Sequence, residues 1–306
     1  MWVLLSLIGA FSQALGMAVT KKAVHVPGTR NFIAATSFLI GGLFMVLVFL
    51  FEGKAIWPKN SLSIAFWYWM FWTILLNILS VFFLYKALRL AELNYLTPFM
   101  TLTSLSIIIP PIILLKEFPS PLGLSGIALV AVGALAMDYR RKKKELSAED
   151  EEQERNNRLG KLYFIGTALC YTISPATTKM AINESSGTFT ALAMQLILGA
   201  AFVIFILLFR ETKKIKRIFR NFQKNQRIKF LIALAIIGLT VAASNWTINV
   251  AMETAKVSYV FSIKRIMPLF AFLIGYFYFH ERKNLWRKLI ATGLMVTGAV
   301  LTTLSA

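Results

Sequence analysis

Apolar residues dominate this chain in stretches of roughly 16 to 23 positions, not in the strict alternation of a half-buried strand. Ten such stretches stand out: residues 2 to 20, 31 to 51, 62 to 84, 93 to 115, 121 to 137, 162 to 181, 188 to 209, 230 to 250, 259 to 279 and 289 to 304. About 20 apolar residues cross a hydrocarbon core as a helix. In lipid, every backbone group must find its partner inside a helix or a closed barrel, and long continuous runs select the helix. The pattern therefore predicts an all-α polytopic membrane protein with ten transmembrane helices. One long hydrophilic connector, Arg140 to Arg158, carries a basic block followed by an acidic one. It divides the chain into a first half (1–139), a charged connector (140–160) and a second half (161–306), with five spans in each half. A second connector, Arg210 to Lys229, is basic. Its Ile215, Ile218, Phe219 and Phe222 fall at helical spacing, which fits either an amphipathic surface helix or a solvated loop with a few apolar residues.

The halves repeat each other. Ala18, Thr20, Lys21, Ala23 and Val24 recur 158 positions later as Ala176, Thr178, Lys179, Ala181 and Ile182. Ala87, Ala91, Tyr95 and Glu117 recur 164 positions later as Ala251, Ala255, Tyr259 and Glu281. Each half holds an odd number of spans, so the second copy crosses the membrane upside down relative to the first. This inverted-repeat plan places a central cavity between the two halves.

Composition agrees with the pattern. The chain of 306 residues is 57% hydrophobic, above the roughly 45 to 50% of soluble domains. A net charge of +19 would suit nucleic acid, but the basic residues gather at the ends of apolar runs, where they meet lipid headgroups and set orientation. The lipid bilayer and a small-molecule substrate, with no nucleic acid, are the expected partners. The single cysteine, Cys170, excludes an intrachain disulfide. The first stretch lacks the basic n-region of a cleaved signal peptide and is expected to be a retained helix.

Polar residues inside the spans are few. The ninth span carries Lys264 and Arg265 side by side, four and three residues before Pro268. A basic residue deep in a span costs several kcal/mol unless it snorkels, pairs or faces a wet cavity, and Lys264 lies roughly 8 to 9 Å in from Tyr259 at the rise of a helix. Pro268 withholds an N–H from the carbonyl of Lys264, so a kink beside the basic pair is expected. The pair is a candidate substrate site; the alternative is that it snorkels and anchors the helix. Gln13, Asn77, Tyr171, Asn245 and Asn249 join it as candidates, Asn245 and Asn249 sharing one helix face. Gln195 is also intramembrane, and any of these amides can instead tie helices together. Gly126 and Gly293 are expected at close helix contacts.

Absences narrow the chemistry. No GxxxxGK[ST] loop is present, so the chain has no ATPase of its own, and the two histidines, His25 and His280, sit at span ends, against an HExxH enzyme or a histidine-rich metal site. No cofactor and no metal is expected. No nucleophile with a base is apparent, so the chain is not expected to be an enzyme. No Asp or Glu lies in the middle of a span, and the usual proton-coupling device is thus missing. Glu117 and Glu281 are expected to cap helices or pair with Lys116 and Arg282.

The stretch YKALRLAELNYLTPFMTLTSLSIIIPPIILLKEFPSPLGLSGIALVAVGAL holds Tyr85, Ala87, Leu88, Ala91, Pro98, Glu117, Gly126 and Gly133; the second half holds Ala251, Ala255, Pro268, Glu281, Gly293 and Gly298. On these residues each half resembles the EamA module of the drug/metabolite transporter superfamily. The second copy departs from the pattern at Asn249, which replaces the tyrosine, and in the tighter spacing of its two glycines. The resemblance implies a ten-helix carrier that is not driven by ATP. It also likens Lys264 and Arg265 to the paired Lys-Arg of the superfamily's sugar-phosphate branch, where the pair binds phosphate. The expected function is secondary transport of small organic metabolites bearing an anionic group. The alternatives are an exporter of amino acids or hydrophobic compounds in which the pair is structural, and a flippase that grips a lipid phosphate. Compact loops favour a prokaryotic plasma membrane. Odd-numbered connectors carry 26 basic residues and even-numbered ones 5, which places both termini outside by the positive-inside rule; the resemblance implies both termini inside.

Overall fold

The computed structural model describes residues 1–23, 30–52, 63–90, 106–138, 149–267, 269–270, 273 and 285–305. All secondary structure in these residues is helical: α1 (Trp2–Ala23), α2 (Arg30–Glu52), α3 (Ile64–Leu90), α4 (Ile109–Leu115), α5 (Pro121–Asp138), α6 (Glu149–Glu184), α7 (Gly187–Leu208), α8 (Thr212–Asn221), α9 (Lys224–Thr254), α10 (Val257–Lys264) and α11 (Leu285–Leu304). Eight of the ten expected spans coincide with α1, α2, α3, α5, α6, α7, α9 and α11. The fourth and ninth are described only in part, as α4 and α10, and Tyr95, Pro98, Pro268, His280 and Glu281 lie outside the described residues. Among the described residues, five helices are long and apolar enough to cross a membrane on those grounds alone: α1, α2, α3, α7 and α9.

Packing in lipid gains nothing from water exclusion between helices and depends on close contact and polar ties. On α2 this gives two faces: Leu39, Leu43, Leu47 and Leu50 point outward, whereas Ala35, Ser37, Met45 and Phe49 are buried among helices. The inward-facing half of α6 is different in kind. Thr167, Thr172, Ser174, Thr177, Thr178 and Lys179 are all buried there, which lowers its hydropathy below that of the lipid-facing helices. The outer half of α6 departs from expectation. The acidic block read as part of a solvated connector continues the helix back to Glu149, for 36 residues in all, or about 54 Å.

The packing carries the duplication. Exchanging the halves maps α1 onto α6, α2 onto α7, α3 onto α9, α4 onto α10 and α5 onto α11. Under this exchange α1–α9 becomes α6–α3, and α1–α10 becomes α6–α4, while α2–α7 and α5–α11 each become themselves; all six pairs are in contact. One difference breaks the equivalence. The α9 helix packs extensively on α2 and α7, whereas its counterpart α3 touches α7 only lightly.

The α8 segment is a helix and not a loop. Ile215 is buried beside Ala35, Phe202 and Ile206, and the Phe219 ring meets Phe32 and Phe230 edge-on at 5.4 and 5.8 Å. Lys213, Lys214, Lys216, Arg217 and Arg220 occupy its exposed side. The α5–α11 contact corrects one expectation. A Cβ on Gly126 would meet Gly298 O at 2.7 Å, and one on Gly133 would meet Ala291 O at 2.8 Å, whereas a Cβ on Gly293 would meet nothing within 4 Å. The contact face of α11 runs Ala291, Met295, Gly298, Thr302. Five residues of helix rotate Gly293 about 140° away from Gly298, off that face.

Candidate functional site

The ninth expected span breaks at its basic pair. The α10 helix ends at Lys264, and the N–H of Arg265 is shared between Phe261 O and Ser262 O at 3.0 and 3.1 Å. From there the chain tightens: Ile266 N donates to Ile263 O at 3.0 Å and Leu269 N to Ile266 O at 2.8 Å, both three residues back. The kink predicted beside the pair is thus located at Arg265. Lys264 Nζ stands 5.1 Å from the Phe261 ring centroid.

Opposite this break lies a polar seam between α3 and α6. Thr73 Oγ1 donates to Thr177 Oγ1 at 2.9 Å. One turn on, Asn77 Nδ2 donates to Ser174 Oγ at 2.9 Å and to Thr73 O at 2.8 Å. The next rung joins Tyr171 to Ser80, and the Tyr171 hydroxyl is within electrostatic reach of Arg265. Pro175, inside α6, has no N–H to offer the carbonyl of Tyr171, four residues back. The seam therefore ends in a phenol and a backbone oxygen relieved of its helical donor, close to a guanidinium. Asn77, Tyr171 and Arg265, three of the candidate residues, belong to this connected set. The hydroxyls of the seam escaped the sequence reading, although Thr73, Asn77 and Ser80 follow one another at helical spacing and line a single face.

The remaining candidates lie apart from the seam. Asn249 is buried between α7 and α9, with Nδ2 4.0 Å from Met194 Sδ. Its backbone lies against Gly187, where a Cβ would come within 2.7 Å. Asn245 is half-buried one turn earlier on α9, and Gln13 is half-buried on α1. Gln195 is fully buried between helices, its amide packed against Gly41.

A second cluster gathers at one end of the bundle, where α4, α6 and α9 end and α5, α7 and α10 begin. Lys179, buried in the last turns of α6, donates its Nζ to the carbonyl of Met252 on α9. Glu117 does not pair with Lys116: its Oε2 accepts the N–H of Val257 at 2.8 Å and caps α10. It is aimed by Lys116, which adopts a left-handed conformation (φ 56°), with Glu117 N closing a turn onto Pro111 O at 3.2 Å. Burial pushes the Glu117 carboxyl above the usual carboxylate range, against the opposing pull of the Val257 N–H and of Lys179 and Lys256. Glu253 accepts the N–H of Gly187 at the start of α7, and Lys256 Nζ donates to Phe118 O at 2.9 Å. Among the described residues no cluster of three or more His, Cys, Asp or Glu side chains is placed to hold a metal ion.

The sequence pattern of the EamA-like transporter family matches residues 1–137 and again 158–304, one match in each half. The chain belongs to the EamA-like transporter family. It is accordingly a multi-pass membrane protein of the drug/metabolite transporter superfamily, whose members are transporters. A solved crystal structure, described only as that of a protein, superposes with a TM-score of 0.76 at 16% identity, over 99% of this chain and 96% of its own. At that identity the likeness concerns the fold. No curated protein matches the chain.

Proposed function

We propose that this EamA-like protein is a secondary transporter of the plasma membrane, of a prokaryotic cell, that moves small organic metabolites bearing an anionic group by alternating access. The observation that carries the reading is that Arg265, where α10 stops, is within electrostatic reach of the Tyr171 hydroxyl at the end of the α3–α6 seam. A helix C-terminus carries about half a negative charge, and Lys264 and Arg265 contribute two full positive ones. The break therefore remains cationic, and its field favours an anion. Arg265 offers the planar fork that fits carboxylate or phosphate, Lys264 adds a point charge, and Tyr171 brings a hydroxyl able to donate or accept. Asn77, one rung along, extends the polar wall; Asn245, Asn249 and Gln13, apart from the seam, are proposed to line the cavity from α9 and α1.

A structural role for the pair is the competing reading, and it too has an observation behind it: cations at the end of α10 complement the helix dipole. Reconstitution into liposomes separates the two. Counterflow with a panel of organic phosphates, carboxylates, neutral amino acids and cationic dyes is expected to show saturable exchange of an anion. Exchange confined to neutral amino acids or cations would overturn the anionic reading and leave the pair its structural role.

A further inference from the structure

We propose that Lys179, Glu117 and Glu253 form a latch that shuts the cavity at the membrane face carrying the α6–α7 and α9–α10 turns, and that the structure has this face closed. The inference rests on the alternating-access reading above. Each member of the cluster ties one helix end to another across the bundle. Lys179 joins α6 to α9, Glu253 joins the end of α9 to the start of α7, and Glu117 joins the α4–α5 turn to the start of α10. All three ties converge on Met252 to Val257, the turn between α9 and α10. To open this face, that turn must leave α6, the start of α7 and the α4–α5 turn, and all three ties must break together.

The position of the cluster connects it with the site. The α6 helix carries Tyr171 and, eight residues or about 12 Å further on, Lys179; α10 carries Val257 at one end and Lys264 at the other. Between them, on one face of α10, Ser258 and Ser262 are 1% and 3% exposed, and neither hydroxyl has a hydrogen-bond partner. Buried hydroxyls normally find partners, and these two, lying between the latch and the basic pair, are assigned to a passage that is wet in another state. The asymmetric packing points the same way. The α9 helix, which leads into the latched turn, is packed more extensively against α2 and α7 than its counterpart α3 is.

The test uses the full-length protein in nanodiscs, with no substrate. On a Cys170→Ala background, a single thiol is introduced by Ser262→Cys, and its reaction with a charged, membrane-impermeant maleimide is timed. With the latch intact, labelling is expected to be slow. Lys179→Met and Glu117→Ala each remove a charge-assisted bond and are expected to speed labelling by about tenfold to a hundredfold, and Lys179→Arg is expected to remain slow. Glu253→Ala, at the exposed end of the cluster, is expected to have a smaller effect in the same direction. Unchanged labelling in Lys179→Met and Glu117→Ala, with elution profile and melting temperature as in the parent, would overturn the latch. If Lys179→Met does not fold, Glu117→Ala decides alone. Faster labelling without anion exchange in liposomes would retain the latch and sink the substrate reading; anion exchange without faster labelling would do the reverse.

Discussion

Glu117 accepts the backbone N–H of Val257 at 2.8 Å, so a carboxylate of the first repeat caps a helix of the second. Helix N-termini leave backbone donors without intrahelical partners, and the α10 helix ends only seven residues later, at Lys264 of the basic pair. Whatever holds Val257 therefore also holds the base on which Lys264 and Arg265 stand.

Glu117→Gln keeps an oxygen facing Val257 and removes the charge; Glu117→Ala removes the cap and is expected to cost about 1 kcal/mol. The pH response has a definite sign. Burial holds the folded-state pKa above the unfolded one, so between the two the folded protein binds more protons than the unfolded chain. Its stability falls as pH rises through that window and returns on acidification. Melting curves in detergent from about pH 8 to about pH 4 should show this slope in wild type and not in Glu117→Gln. An identical slope in both would show that Glu117 is not its source.

Replacing one member of the basic pair is expected to weaken binding of an anionic substrate by roughly ten to a hundredfold, the equivalent of a charge-assisted hydrogen bond of ~1.5 to 3 kcal/mol. Expression should survive, because deleting a charge from a span lowers its insertion cost. Arg265→Lys retains the charge and loses the fork, so it stays impaired where recognition is bidentate. Wild-type affinity in both Lys264→Ala and Arg265→Ala would assign the pair to anchoring.

Glycine substitutions along α11 and α5 should differ sharply. Gly126→Val forces a branched side chain against the Gly298 carbonyl and is expected to cost about 1 to 3 kcal/mol or more. Gly293→Ala faces open space and should gain up to about 1 kcal/mol in helix propensity. Thermal unfolding of the two variants is the measurement, and a loss of stability in Gly293→Ala would contradict the packing described.

Transport in sealed vesicles is expected to persist after a protonophore collapses the proton gradient, driven by the substrate's own gradient, because no span carries a central carboxylate. Complete loss of exchange under those conditions would reveal a proton path, and the half-buried Glu117 would be the first residue to examine.

Orientation is open to a direct reading. The basic-residue count predicts that the C-terminus faces away from the cytoplasm, so a reporter active only in the cytoplasm should be silent when fused after Ala306. Activity there would reverse the assignment and put the latched face on the cytoplasmic side.

Much of the architecture was legible because its signals are local. Long apolar runs, the recurrence of Ala-x-Thr-Lys and a proline just after two charges can each be read within one window. The break at Arg265 was legible for that reason. The bond between Lys179 and the Met252 carbonyl was not, since it joins positions far apart in sequence and Lys179 alone reads as a residue near a span end. Asn77 was flagged as an amide, but its partner Ser174 is one small hydroxyl among many. Gly293 misled through phase: family position suggested contact, while helix rotation decides which glycine meets a neighbour. Acidic residues 149 to 152 read as part of a solvated connector, but hydrophilic residues extend a helix as readily as they end one.

Two helix pairs, α2–α7 and α5–α11, are their own images when the repeats are exchanged, whereas α1–α9 and α3–α6 change places. Any rearrangement that hands the cavity from one face to the other by swapping the roles of the repeats must therefore leave those two pairs where they are. They are the fixed points of the machine. The backbone-to-backbone seat of Gly126 on Gly298, with no side chain between, is built as a bearing and not as a joint that opens.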